Sequence, residues 1–432
     1  MEKQGKSREM IQAESLAAFR KAKDRGTICL STGTGKTKVA LDFIKETPGI
    51  SRVLITSPRT NLKNNWRDEL LKWGFEDWSD DWWMIGDRRV SIVIENIQTV
   101  YKWWGKHFDF IIADEIHTMM TPEYSKLFAN CTYDAVMGLT ATHDINLIND
   151  KASFYKDYCP IIYEYYDSAD DGIINKTNFF IVNHYLNNIS RVMVGPKNKK
   201  FPQGELQAYE YLTKKIKHGQ TEMIVQGSED WFEDAAEWFW NDQGNKEQKL
   251  AAMKYLNAIK YRKDFLLSLP SSARLAITIK NGILRDSPNA KILLFSELTR
   301  QADRLTPSTV HSHNTDKLNQ LRIDLFNKGD IRELGSCQSL TLGLNLKGAT
   351  HAIMESYISS KTRSKQKKGR LDRLATDDVA EMWIIRVMET QSANWYEKMV
   401  KDFDLTQAVY IDSKFILEDE IDYGKSTVTL RT

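Results

Sequence analysis

An α/β fold built as two parallel-sheet lobes with a helical insertion between them is predicted by three features of the sequence. Short apolar runs rich in β-branched residues alternate with helix-patterned segments through the first third, the same rhythm returns after Pro270, and the stretch between is helical and charged. At 432 residues the chain also exceeds what one hydrophobic core organises, so it divides into domains.

The first lobe is expected over residues 1–168. Its strands are Thr27-Ile28-Cys29-Leu30, Val53-Leu54-Ile55, Ile92-Val93-Ile94, Phe110-Ile111-Ile112 and the run from Val136 to Leu139. Between the first two lies KTKVALDFIKE, in which Val39, Ala40, Phe43 and Ile44 recur at helical spacing. Residues 169–270 are expected to hold a linker strand and the helical insertion, with WFEDAAEWFW (Trp231 to Trp240) and KLAAMKYLNAIKYRKDFL as amphipathic helices whose aromatic residues pack inward. The second lobe, 271–432, has strands at Ile292 to Phe295, Ile331 to Gly335, Ala352-Ile353-Met354 and Trp383-Ile384-Ile385, with a helix marked by Leu318, Leu321, Leu325 and Phe326.

Composition narrows the function classes. With 60 basic and 58 acidic side chains the overall field is nearly neutral, so a polyanion must be met by local patches. The four cysteines are scattered without CxxC spacing, which fits a reducing compartment and no structural zinc. No apolar run is long enough to span a bilayer, and the N-terminal residues lack the apolar core of a signal peptide. A protein of the cytoplasm is expected, nucleoid-associated or in the host cytoplasm if phage-encoded, or nuclear if the host has a nucleus, with no membrane partner.

STGTGKT, Ser31 to Thr37, follows the first strand and opens the first helix of the lobe. In that context backbone N–H groups converge where the helix dipole favours negative charge. The segment Thr32, Gly33, Thr34 and Gly35 is expected to cradle the phosphates of ATP, with Lys36 reaching the β and γ groups and the Thr37 hydroxyl on Mg²⁺. Leu30 stands where the strict phosphate-loop pattern has a glycine, so the match is to its shorter core.

FDFIIADEIH places Asp114 and Glu115 at the end of an apolar strand, on the edge where parallel sheets bind ligands. Two adjacent acids there can divide hydrolysis between them. Asp114 is expected to hold the metal, and Glu115 to orient and deprotonate the attacking water.

With these segments in order, the sequence resembles the superfamily 2 helicases and translocases, with features of Swi/Snf-type ATPases and phage branch-migration helicases. DEIH resembles their DExH box, and GLTATH their Thr-Ala-Thr element. The resemblance implies two RecA-like lobes. It assigns His117, Thr140, Ala141 and Thr142 to coupling nucleotide state to DNA grip, and Gln12 to reading adenine. TSPRTNLKNNWRDELLKW and ENIQTV resemble strand-contacting segments, which implies that Pro58, Arg59, Thr60, Gln98 and Thr99 touch nucleic acid. In the second lobe LLFSE and SCQSLTLGLNLKGATHAI resemble later signatures; by that likeness Phe295, Ser296 and Ser336 belong to the strand path and Gly343 to the nucleotide site.

In KTRSKQKKGR, Lys361 to Arg370, six of ten residues are basic, the composition of a solvated tail. Yet QKKGRLDR resembles the last helicase signature, QRxGRxxR, with Lys367 in place of the first arginine. Gln366, Arg370 and Arg373 fall at i, i+4 and i+7, one face of a helix, while Leu371 and Leu374 suit packing. Gly369 costs about 1 kcal/mol inside a helix, so it points to close approach of another backbone. By resemblance, Gln366, Arg370 and Arg373 join Lys36, Asp114 and Glu115 in catalysis, the arginines reaching across a cleft to the γ-phosphate.

The expected function is an ATP- and Mg²⁺-dependent DNA helicase or translocase acting on single-stranded, duplex or branched DNA, with replication or recombination proteins as further partners. An RNA helicase, or an ATP-gated clamp or loader with little motor activity, is the competing reading.

Overall fold

The computed structural model describes residues 5–58, 62–141, 150–166, 169–195, 200–337, 346–372 and 374–416. Arg59, Thr60, Thr142, Gly343 and Arg373 lie outside the described residues.

The first lobe runs α1 (Arg8–Lys21), β1 (Arg25–Leu30), α2 (Lys36–Glu46), β2 (Arg52–Ser57), α3 (Leu62–Lys72), β3 (Glu76–Ser79), β4 (Trp82–Ile85) and β5 (Arg88–Asn96). It continues with α4 (Ile97–Val100), β6 (His107–Asp114), α5 (Lys126–Asn130), β7 (Thr132–Thr140), α6 (Asp150–Asp157) and β8 (Ile161–Tyr165). The strands form one sheet in the order β3-β4-β5-β2-β6-β7-β1-β8, parallel from β5 onward. β1 and β2 are buried along all but their first residue, as unbroken apolar runs require when helices cover both faces. On one face Phe43 meets Phe19 edge-on with centroids 4.9 Å apart and Phe110 at 4.8 Å. The other face packs Leu54, Ile111 and Val136 against Ile97, Ile116 and Phe128. The antiparallel edge hairpin β3–β4 is absent from the sequence expectation, because its residues carry little alternation and β3 is exposed along its length.

After β8 the chain crosses to the second lobe, where β9 (Lys176–His184) enters the second sheet. A hairpin of β10 (Arg191–Val194) and β11 (Phe201–Gly204) then leads into the helical insertion, α7 (Glu205–Val225), α8 (Trp231–Phe239) and α9 (Lys246–Leu266). Asp230 caps α8 by accepting from the N–H groups of Phe232 and Glu233, and Asn245 with Gln248 forms a capping box on α9. The insertion has its own core of Ile216, Met223, Ala235, Trp238, Ala252 and Tyr255. Only Trp238 among the aromatic residues of WFEDAAEWFW is buried; Trp231, Phe232, Phe239 and Trp240 are exposed. The inward packing expected of them is corrected: one stripe of a short helix fits the α7–α9 groove, and the neighbouring positions turn outward.

The second lobe continues with α10 (Pro270–Asp286), β12 (Ile292–Ser296), α11 (Thr299–Leu305), β13 (Thr309–Val310), α12 (Asp316–Lys328), β14 (Glu333–Cys337), β15 (His351–Met354), α13 (Lys361–Lys368), β16 (Val379–Val387), α14 (Gln391–Met399) and β17 (Val409–Asp412). Its parallel sheet has the order β13-β14-β12-β15-β16-β9-β17. β9 sits between β16 and β17, so the chain segment that leaves the first lobe is an interior strand of the second.

One helix ends earlier than its spacing predicts. α13 stops at Lys368, and the Arg370 and Leu371 N–H groups donate to the carbonyls of Lys367 and Lys368, three residues back. This tighter turn takes Arg370 off the i, i+4 line from Gln366. Leu371 is buried in the lobe core, as its pattern requires.

Candidate functional site

The ends of β1 and β6 carry the phosphate loop and the carboxylate pair along one sheet edge. The loop is built by two glycines with positive φ, Gly33 at +87° and Gly35 at +96°. Thr34 Oγ1 donates to the Ser31 carbonyl at 2.7 Å, closing the turn. Lys36 opens α2, and its ammonium donates to the Leu30 carbonyl at 2.9 Å. Gln12 of α1 donates from Nε2 to the Thr34 carbonyl at 2.9 Å. A Cβ on Gly35 would stand 2.2 Å from that nitrogen, so a glycine is needed there for both backbone angle and space.

Asp114 and Glu115 lie at the end of β6, Glu115 with φ +53°. The Asp114 carboxylate accepts from the Trp66 indole at 3.1 Å and from the Glu115 N–H at 3.1 Å. Burial, then the adjacent Glu115 carboxylate, push Asp114 well above the usual carboxylate range against the opposing pull of Trp66 and Lys36. A divalent cation relieves both effects. The oxygen donors Thr37 and Asp114 therefore fit Mg²⁺ chemically.

His117 Nδ1 lies 2.9 Å from Thr140 Oγ1 and 3.4 Å from the Glu115 carboxylate. The structure thus brings three of the expected catalytic and coupling residues together, with Ala141 following Thr140. Gln98 Nε2 donates to the Pro58 carbonyl at 2.9 Å, and Gln98 and Thr99 are exposed, so these three gather beside the end of β2. Phe295, Ser296 and Ser336 are not with them. They are buried in the second lobe, where Ser296 Oγ donates to Glu355 at 3.1 Å. Strand contact through these three is expected from the likeness of their segments, and in this arrangement their side chains are buried.

The second lobe meets the loop directly. A Cβ on Gly369 would lie 2.6 Å from Thr32 Oγ1, and one on Gly33 would lie 2.9 Å from the Asp372 carbonyl. Asn175, in the chain between the lobes, accepts from the Leu374 N–H at 3.3 Å. Lys365 sits 5.3 Å from the Tyr166 ring centroid. Gln366 and Arg370 are buried in this segment. The Gln366 amide nitrogen has no hydrogen-bond partner among the described residues, and a bound group can satisfy this buried donor. That orphan, the loop and the carboxylate pair together fit a nucleotide.

Two contributors escaped the sequence. Trp66 lies in the segment matched for strand contact, but nothing local joins it to Asp114, 48 residues on. Glu297 and Lys367, 70 residues apart, form a buried ion pair under the arginine segment; the only trace was a lysine where the signature has arginine.

Two parallel-sheet lobes around a phosphate loop, an Asp-Glu pair and a basic segment from the opposite lobe define a nucleoside triphosphate-hydrolysing motor. Residues 5–145 match the family model described as type III restriction enzyme, res subunit, and residues 275–375 match the helicase conserved C-terminal domain. The chain is 26% identical over 385 residues to DNA 3'-5' translocase XPB2 of Sulfurisphaera tokodaii, covering 84% of this chain and 77% of that one. In fold it is similar to S. cerevisiae Dbp5 bound to RNA and ADP BeF3, at 12% identity over 95% of this chain and 91% of that chain, with a TM-score of 0.56; a variant of the same protein gives 0.58. A match to a restriction-enzyme res-subunit domain in the first lobe and to a helicase C-terminal domain in the second, with a DNA translocase as a relative, supports an ATP-hydrolysing helicase. No helix among the described residues is long and apolar enough to cross a membrane.

Proposed function

We propose that this helicase is a DNA translocase that steps along one strand and so unwinds or remodels duplex and branched DNA. The observation that carries the reading is the contact of Gly369 and Asp372 with Thr32 and Gly33, which makes the triphosphate site a joint property of both lobes. The relative named a DNA translocase favours DNA over RNA as the track.

Phosphates seat on the N-terminus of α2, with Lys36 moving from the Leu30 carbonyl to the β and γ groups. Thr37 and Asp114 would hold Mg²⁺, which when bound would supply positive charge to the phosphoryl oxygens. Glu115 takes the proton of the attacking water, while Arg370 and Arg373 balance the charge that develops, a contribution on the order of a thousandfold in rate. Gln366 donates to the same group. Because these residues come from two lobes, bound ATP favours the closed arrangement and its hydrolysis releases it. The His117–Thr140 contact carries the state of Glu115 to the segment that follows β7. Pro58, Arg59, Thr60, Gln98 and Thr99 grip the strand backbone, so affinity is salt-sensitive and weakly dependent on sequence.

ATPase rates with duplex DNA, single-stranded DNA and RNA test the track; stimulation by RNA alone rejects it. In a strand-displacement assay, Glu115→Gln is expected to retain ATP and DNA binding and lose displacement. Unchanged displacement removes Glu115 from its role.

A further inference from the structure

Beneath the arginine segment lies a buried polar network that the nucleotide chemistry does not use. Lys367 is one of the largest fully buried side chains among the described residues, 2% exposed, and its ammonium donates to Glu297 Oε1 at 3.0 Å. Glu297 directly follows β12, and its side chain is equally enclosed. The Glu297 N–H donates to Ser356 Oγ at 3.0 Å and its carbonyl accepts from Cys337 Sγ at 3.2 Å, so the carboxylate stands on a backbone held from both neighbouring strands. Arg363 lies 3.7 Å from its other oxygen, and the Lys367 ammonium is 5.6 Å from the Phe295 ring. Next to it, Glu355 accepts from Ser296 at 3.1 Å and from Gln301 at 2.8 Å.

An ion pair taken out of water adds little net stability compared with apolar residues of the same shape, whereas separating its members leaves a buried charge exposed to neither water nor partner. Such a pair therefore enforces geometry. Here the geometry it enforces is that of a short segment: Lys367 is flanked by Gln366, and Arg370 follows one tight turn later. α13 has only eight residues and ends at the pair, so its own backbone bonds do little to hold that turn in place.

We propose that Lys367 is a positioning residue for ATP hydrolysis: its ion pair with Glu297 locks the Gln366–Arg370 segment to the end of β12 and so sets Arg370 at the phosphate loop. The inference rests on the reading of Arg370 as a phosphate-facing group.

The test uses the full-length chain and compares Lys367→Met, Lys367→Met with Glu297→Gln, Lys367→Arg and Arg370→Ala by melting temperature and by nucleic-acid-stimulated ATPase kinetics. Lys367→Met is expected to lower kcat by about tenfold or more with the KM for ATP within about threefold, the pattern of an interaction realised in the transition state. The double variant removes both charges, so it recovers the melting temperature and leaves kcat low; Lys367→Arg, which keeps the charge, restores most of kcat. Recovery of kcat along with melting temperature in the double variant makes the pair merely structural and overturns the proposal. If Arg370→Ala keeps the full kcat, the proposed function of Arg370 fails instead. Loss in Arg370→Ala with full activity in the double variant sinks the positioning role alone.

Discussion

Gly369 of the second lobe rests on Thr32 of the phosphate loop so closely that a single added carbon would come within 2.6 Å of the threonine hydroxyl. The backbone at Gly369 is right-handed, with φ −59°, so alanine suits its conformation and only the contact objects. Gly369→Ala is expected to lower kcat by about tenfold, since a small displacement of reacting groups costs that much or more. The melting temperature should stay near wild type, because the contact lies between lobes that carry separate cores. ATPase and thermal melts check both.

The Trp66 indole donates to Asp114 and holds its carboxyl below where burial and Glu115 alone would put it. Trp66→Phe removes that donor, so the Asp114 pKa rises further and the acid limb of the kcat/KM profile moves to higher pH. At pH 7 the rate is expected to fall by about two- to fivefold, recovering as the pH is raised. A profile that drops uniformly at every pH assigns Trp66 to packing alone.

Trp238 anchors α8 in the groove between α7 and α9, and Gly244 lies against it. Trp238→Ala should cost the insertion about 3 kcal/mol, within the range for a buried aromatic residue. Because this core is separate from those of the two sheets, hydrogen exchange is expected to accelerate in residues 205–266 and not in the strands of either lobe.

Glu355 is raised to about 7 by burial, against the opposing pull of Gln301, Ser356, Ser296 and Lys367. A carboxyl raised on folding contributes stability that is present below its unfolded value and lost as pH rises through the folded one. The wild type should therefore lose on the order of 3 kcal/mol relative to Glu355→Gln between about pH 4.5 and 7. Urea melts of both proteins across that range measure the difference; parallel curves contradict it.

The five core strands of the first sheet and the contiguous motifs on them were legible because each is a local pattern: an apolar run, a glycine turn, an acid pair. Gly369 was legible as a point of close approach from its cost in a helix, although Thr32 as what it approaches was not. The Gln366–Arg370 stretch does not stay one helix, because the Arg370 and Leu371 N–H groups bond three residues back just where Gly369 approaches Thr32.

From residue order alone came two α/β lobes, the phosphate loop, the acid pair and the basic segment, because periodicity and short motifs need only neighbours along the chain. Tertiary structure alone decided that β9 is an interior strand of the second sheet, that Trp66 reaches Asp114, that Lys367 pairs with Glu297, and which aromatic residues of α8 face outward. Each of these joins residues distant in sequence, and which distant partners meet is set by how whole sheets and helices pack.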